Sequence, residues 1–505
     1  MAIVVFIGIL VLSLVIALFA RKGAIGSSMD DVMVASGSFG AFLMFFVAVG
    51  EIYSIGTMIG VPGAVYSKGT NYALWFIAYI LLAYCVGYFL NPAIWRMGQI
   101  CKAVSIGDVI GWRFNSKWLQ VIVALVAIFF LAPWTQNQFA GMAILFNYLD
   151  IGVGYTTCII ISAALAFIYI AVAGIRAPAW VSVLKDILLL AGIIVAGIVA
   201  ATKFPGGVHG IFSTVAAKAP EMLVVKAHPV TENVTFLLST ILFQMLGFYM
   251  LPMSFQAILT GKSEKIIRRN QIIMPLYMIM FPFLIITAYF ALITIPGLAK
   301  PDEALLAVVT QNLPGWVVGM IAGGGALTAI LVMAMTALTV GGMFSKNILG
   351  VMKPDMQESQ MVWWTRAATG IFLFFSVMLT LYFPQLMAGV ITLAYSGLTQ
   401  TFGAVFFGFF WKKATKMGIG AGIIAGVASI FLITTAPWGL NKGFVALFIN
   451  IVVTVVVSLM TKADDETVRR FELFKTVTRK TNGRLVAGEI NSVLKEQNAA
   501  GEQPA

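Results

Sequence analysis

The chain has 505 residues, of which 60% are hydrophobic and only 10% charged, too few polar groups to cover a soluble globule, so it reads as an integral membrane protein. Its formal net charge of +12 would suit nucleic acid, but the basic residues stand in short loops beside apolar stretches, where membrane topology puts them, and nucleic-acid binding is set aside. Those stretches run near the ~20 residues that a helix needs to cross a bilayer and lack the alternation of barrel strands, so the fold class is all-α integral membrane.

Thirteen transmembrane helices are predicted, over 2–20, 39–66, 72–96, 118–147, 151–174, 178–202, 235–259, 271–296, 315–345, 362–384, 387–411, 417–437 and 442–461. The first lacks a basic leading region and a clear cleavage site, so it is read as a span rather than a signal peptide. The loops carrying Arg96, Lys102, Arg113 and Lys117, then Lys262, Lys265, Arg268 and Arg269, then Lys346, Lys353 and Arg366, then Lys412, Lys413 and Lys416 fall on one side. The positive-inside rule makes that side cytoplasmic, with the N-terminus outside and the C-terminus inside an inner (plasma) membrane. The implied division is 1–38 (an extra helix and loop), 39–202 and 235–411 (two five-helix repeats), 203–234 (an external loop), 412–462 (two further helices) and 463–505 (a polar tail). Within that tail Asp464–Lys480 reads as a surface helix and Asn498–Ala505 as disordered.

Two spans carry interruptions that an anchor would not need. The second holds Gly50, Gly56, Gly60, Pro62 and Gly63, and the seventh holds Gly247 and Pro252. They stand five positions apart in span order, as for corresponding members of two inverted repeats, and transporters place ion and solute sites at such paired broken helices. Glycine and proline are also common in membrane helices for packing alone.

Lys185 is the only Lys or Arg well inside an apolar span, away from its ends. An ionisable group in hydrocarbon is costly and normally faces a partner, a cavity or a pathway. Snorkelling is the competing reading. The spans hold two acids, Glu51 and Asp186. Glu51 adjoins the expected break, where it would face ion, solute or Lys185, or cap exposed N–H groups. Asp186 points about 100° away from Lys185 around a helix, so it is expected to pair with a neighbouring helix instead. Trp134-Thr135-Gln136-Asn137-Gln138 places four polar side chains in an apolar span, suited to a solute or to interhelical contact. Cys85, Cys101 and Cys158 have no disulfide or metal spacing, and His209 and His228 read as solvated loop residues. With no histidine in the spans and no nucleophile beside a base, an enzyme is not expected. A sensor would need more than the short tail, and concentrative uptake separates a symporter from a passive channel.

Gly60-Val61-Pro62-Gly63-Ala64-Val65, Ala173-Gly174-Ile175-Arg176-Ala177-Pro178-Ala179-Trp180 and Trp411-Lys412-Lys413-Ala414-Thr415 before Gly418 resemble the sodium:solute symporter family, over residues 1 to about 462. Lys185-Asp186 and Ile267-Arg268-Arg269-Asn270, followed by Pro275 and Tyr277, look most like its monocarboxylate permease branch. The resemblance implies the leucine-transporter fold with 5+5 inverted repeats. It also implies symport of a small organic solute, such as pyruvate, lactate or a small amino acid, with a coupling cation, no other cofactor and a functional monomer.

In sodium-coupled members the resemblance places backbone carbonyls at Gly50 and Tyr53 on the ion, together with hydroxyls that align here with Leu331 and Val332. Neither aliphatic side chain can ligate a hard cation. Where the family often has an acid, this chain has Ser182, with Lys185 one turn on along the same face. The arrangement resembles proton-coupled relatives of this fold that put a lysine ammonium in sodium's place. Burial disfavours the charged form, so Lys185 is placed to release and regain a proton; sodium remains the alternative coupling ion.

The solute contacts implied are Gln136, Asn137, Gln244, Tyr249, Tyr395 and Gln400. A solute carboxylate is expected on free N–H groups just beyond the break, near Glu51–Ile55. The run Met250-Leu251-Pro252-Met253-Ser254 departs from the family pattern of an aromatic residue or Gln before the proline and His after it.

Overall fold

The computed structural model describes residues 1–20, 28–225, 233–383 and 387–481. These are helical throughout, apart from a one-residue bridge between Phe39 and Gly261. Among the described residues, nine helices are long and apolar enough to cross a membrane: Ala2–Ala20, Thr70–Cys101, Lys117–Tyr148, Arg176–Lys203, Glu264–Thr294, Gly315–Met352, Glu358–Tyr382, Met387–Phe410 and Lys442–Met460. Two further pairs pass together but are bent: Ala41–Ile52 with Gly56–Lys68 by 50°, and Val234–Met250 with Pro252–Leu259 by 48°. Tyr155–Ile170 and Lys416–Leu432 are shorter apolar helices.

Both bends have local causes. In the first broken helix Tyr53 takes an extended backbone (φ −90°, ψ 90°), and the Ser54 hydroxyl accepts the Gly56 N–H at 3.1 Å. Serine offers the backbone a partner outside the helical ladder, which favours a cap over continuation. In the second, Leu251 (φ −61°, ψ 121°) precedes Pro252, and the proline ring disfavours helical backbone in the residue before it.

The helix Gly315–Gly342 is the core of the bundle and is almost wholly buried. Its glycines remove side chains where neighbours cross: a Cβ on Gly324 would meet Leu188 at 2.9 Å, and one on Gly325 would meet Met58 and Ile55. Close approach through small residues is how membrane helices gain packing without a hydrophobic driving force. The lysine helix, Arg176–Lys203, thereby lies directly on this core element and on the first broken helix.

Each predicted span coincides with a helix or a bent helix pair, with shifted ends. The third helix runs on to Cys101, because Arg96 does not end it at a surface. Its guanidinium is buried in a bidentate pair with Glu264 at 2.6 and 2.7 Å. The interval read as an external loop contains the helix Gly207–Lys218, and Lys226 and His228 lie outside the described residues. The tail holds a helix at Asp465–Thr481, and it is docked: Arg113 donates to the Thr467 carbonyl at 2.9 Å and Arg96 to the Thr478 hydroxyl at 2.7 Å. Asn498–Ala505 lie outside the described residues.

Candidate coupling and solute site

The bend in the first broken helix frees the carbonyls of its last turn, because no N–H four residues on continues the ladder. Lys185 fills that gap. Its side chain is fully buried, and its ammonium donates to the Gly50 carbonyl at 2.8 Å and the Tyr53 carbonyl at 3.2 Å. Ser182 lies on the same face, its hydroxyl donating to the Pro178 carbonyl at 2.8 Å. A Cβ on residue 50 would meet that hydroxyl at 2.8 Å, so only glycine there lets the two helices approach this closely. Lys185 does not snorkel.

The expectation for Asp186 is corrected. Its carboxylate lies 2.9 Å from the Lys185 ammonium, and both side chains are fully buried. The helical-wheel argument compares Cβ directions, but the four-carbon lysine stem is long and flexible enough to swing back to its neighbour. Tyr277 donates to the same Asp186 oxygen at 3.2 Å, and the second carboxylate oxygen has no partner. The same ring stacks on Tyr53 (4.6 Å between centroids, 29°), and Tyr53 shares a hydroxyl contact of 2.6 Å with Tyr84. Two helices, a break and a buried ion pair are thereby joined in one network.

Glu51 does not act as a cap. It is buried, and neither carboxylate oxygen has a hydrogen-bond partner. It sits in the last turn of Ala41–Ile52, where a helix exposes carbonyls rather than donors, so an acid finds nothing to cap.

The free N–H groups expected beyond the break are also largely taken. Gly56 donates to the Ser54 hydroxyl, and Thr57 and Met58 donate to the Ser54 carbonyl at 2.9 and 3.3 Å. Ser54, unremarked in the sequence, already caps the second half.

Leu331 and Val332 are buried aliphatic side chains. The hydroxyls flanking them on the helix are Thr328, which donates to the Gly324 carbonyl at 2.7 Å, and Thr336, whose oxygen is buried without a partner. The Lys185 ammonium is bonded to both carbonyls at the break, and its charge disfavours a second cation beside it.

Of the solute residues, the structure links some and separates others. Trp134 and Tyr395 meet edge to face at 6.1 Å, Tyr395 meets Tyr79 at 5.7 Å, and Tyr79 lies 6.4 Å from Trp75. The Trp75 indole then donates to Gln244 at 2.7 Å. Along this aromatic chain the indole N–H of Trp134, both amide atoms of Asn137 and the Gln244 amide nitrogen have no partner. Asn137 faces the break, since a Cβ on Gly56 would meet its amide nitrogen at 2.4 Å. Buried polar groups are normally satisfied, so these unpartnered atoms make the cluster a candidate for contact with a polar solute.

Three other residues are already engaged. Gln136 donates to the Phe383 carbonyl at 2.5 Å, and Tyr249 donates to Gln271. Gln400 donates to the Ser396 carbonyl at 2.8 Å and accepts from Asn450 at 3.1 Å. Trp134, Tyr79 and Thr399, whose hydroxyl is unpartnered, did not stand out as solute contacts in the sequence, because an aromatic or threonine in an apolar span looks like packing.

Comparison with known proteins places the chain among membrane symporters. The chain is 32% identical over 479 residues to an uncharacterized symporter, YhjB, of Bacillus subtilis, covering 91% of this chain and 97% of that one. It is 24% identical over 495 residues to a monocarboxylate transport permease protein of Rhizobium johnstonii, covering 92% and 97%. A solved structure of a Na+-coupled sialic acid symporter in a substrate-bound outward-open state shares the leucine-transporter fold, with a TM-score of 0.78 at 16% identity, covering 92% of this chain and 98% of that one. Residues 32–426 match the profile of the sodium:solute symporter family, and the chain is a member of that family, a membrane transporter and not an enzyme.

Proposed function

We propose that the chain is a secondary-active symporter that imports a small organic solute, a monocarboxylate such as pyruvate or lactate, together with a proton. The observation that carries the proton is the Lys185 ammonium on the Gly50 and Tyr53 carbonyls, a cation built into the position that a coupling sodium would need. In this reading Lys185 ties the broken helix to the lysine helix in the closed state, and coupling loosens that tie when the inner side opens. The solute lies between Asn137, Trp134, Tyr395 and Gln244. The monocarboxylate class rests on the similarity to the Rhizobium permease protein.

Nine unbroken spans, two bent pairs and two shorter apolar helices support thirteen spans and two five-helix repeats, since the bent pairs stand in corresponding places. The basic loops support a cytoplasmic C-terminus, an outside N-terminus and residence in the plasma membrane. The functional unit is a monomer. Family membership favours sodium as the second reading.

The test is uptake of radiolabelled pyruvate into proteoliposomes with inward proton and sodium gradients imposed separately. Accumulation driven by the proton gradient alone supports the proposal. Accumulation that requires sodium at fixed pH replaces it with sodium symport through an atypical site.

A further inference from the structure

We infer that the last two turns of the tail helix, through Lys475, Arg479 and Lys480, form a binding surface for the headgroups of anionic phospholipid in the leaflet on the tail's side. The charges of this helix, Asp465–Thr481, are divided along its length. The first part is balanced: Asp464, just before it, pairs with Lys416 at 2.8 Å, Glu466 with Arg469 and Arg470 at 2.7 and 2.6 Å, and Glu472 with Lys412 at 2.7 Å. Beyond Glu472 the helix holds three cations and no acid. Among the described residues none of these three joins an ion pair.

Packing sets this end of the helix at the edge of the bilayer. Phe474 stacks on Phe409 at 5.3 Å, and the Lys475 ammonium stands 5.4 Å from the centre of the Phe410 ring. Phe409 and Phe410 end the apolar span Met387–Phe410. Phe410 is 47% exposed, and Phe406, one turn back and 5.3 Å from it, is 40% exposed. Exposed rings on a membrane-spanning helix face acyl chains, so the ammonium beside the last of them lies where chains give way to headgroups.

The cations there are also uncompensated. Burial, and then the charge of Arg479, hold the Lys475 ammonium below the usual lysine range; Glu472 opposes this and Arg96 adds to it. Glu472 is already bound to Lys412. A helix C-terminus favours cations in its last turn, which would account for Arg479 and Lys480 by themselves. Lys475 is earlier in the helix and half-buried against the rings of Phe410 and Phe471, so the dipole does not account for it. The phosphodiester of an anionic lipid supplies the missing counter-charge while its chains cover Phe406 and Phe410. Near an anionic membrane surface each such cation is worth about fivefold in affinity. The rest of the helix is fixed by Arg113 on the Thr467 carbonyl and by Arg470 on the Trp112 carbonyl, so a lipid on its far end holds the whole tail down.

The test is hydrogen exchange of the tail helix, read by mass spectrometry on the full chain in nanodiscs of phosphatidylcholine alone or with phosphatidylglycerol added. Tail amides should exchange on the order of tenfold more slowly with phosphatidylglycerol. The triple variant Lys475→Gln, Arg479→Gln, Lys480→Gln should lose that slowing while the helix Gly315–Gly342 stays as protected as in wild type, which shows that it is folded. Should it not fold, Arg479→Gln with Lys480→Gln, both exposed, should lose most of the slowing. Lys265→Gln, Arg268→Gln, Arg269→Gln removes the same charge from the helix Glu264–Ile273 and should keep it. Equal exchange in both lipids, a full response from the tail variant, or an equal loss in the second triple variant overturns the proposal. Glycerol phosphate added to the phosphatidylcholine discs should have no effect; slowing as large as that from phosphatidylglycerol would make the ligand a soluble phosphate and overturn the lipid surface.

Discussion

Gly50 and Lys185 are fitted to one another: the carbonyl of the first accepts the ammonium of the second at 2.8 Å, and a Cβ on the glycine would meet Ser182 on the turn before. A residue without a side chain thus makes room for the lysine helix, and the lysine satisfies the carbonyl that the break leaves free. Lys185→Ala should therefore abolish accumulation and expose three groups at once, the two carbonyls and the Asp186 carboxylate. Removing one member of a buried ion pair costs about 3–5 kcal/mol. Lys185→Ala with Asp186→Asn should recover part of the thermal stability but none of the accumulation, checked by melting in detergent beside uptake.

A second buried pair provides a control on the side of the tail helix. Arg96 and Glu264 are joined by two short hydrogen bonds and are nearly inaccessible. Arg96→Ala should destabilise by about 3–5 kcal/mol, whereas Arg96→Met with Glu264→Leu should lose much less because no charge is left alone. Arg96→Ala should also loosen the tail helix, since it deletes the bond to Thr478; limited proteolysis of the tail checks this.

The solute set makes a selective prediction. Asn137 faces the break with both amide atoms free, whereas Gln400 is occupied by Ser396 and Asn450. Asn137→Ala should raise the apparent KM several-fold, the loss of a hydrogen bond worth about 1 kcal/mol. Gln400→Ala should lower the melting temperature and leave KM near wild type. Pyruvate uptake over a concentration series reads both.

Asp302 gives a pH dependence outside the membrane-spanning helices. It accepts the Met387 N–H at 3.2 Å, its other oxygen has no partner, and burial pushes its carboxyl up from 3.8 to about 6. A carboxyl whose folded value is raised favours the folded state below about pH 4, and that contribution is lost as pH rises through about 6. Asp302→Asn keeps an acceptor for Met387 and should flatten the fall in melting temperature across that window. Gly63 packs against the same residue, where a Cβ would lie 2.5 Å from the Asp302 Cα. Gly63→Ala should thus cost about 1–3 kcal/mol by overpacking.

Much of this was legible in the sequence because it depends on coarse quantities. Apolar length marks the spans, Pro252 marks the second bend through its effect on Leu251, and a single lysine in an apolar stretch marks itself. The finer contacts were not legible, for reasons that differ. The Lys185–Asp186 pair escaped because the flexibility of a lysine stem outweighs helical spacing. The capping role of Ser54 and the free carboxyl of Glu51 depend on where the ladder breaks, to the residue, which glycine content does not fix. Gln136 and Gln400 share the chemistry of Asn137 and Gln244, and only packing shows which amides are already spent.

Whether an ammonium holds the place of a metal ion is read by binding of radioactive sodium to the purified wild-type protein, with no solute present. No saturable binding that depends on the break is expected, and no change when Gly50 or Tyr53 is substituted. Saturable binding abolished by substitutions at Glu51, Thr336 or Gly50 would contradict it and make the break a sodium site after all.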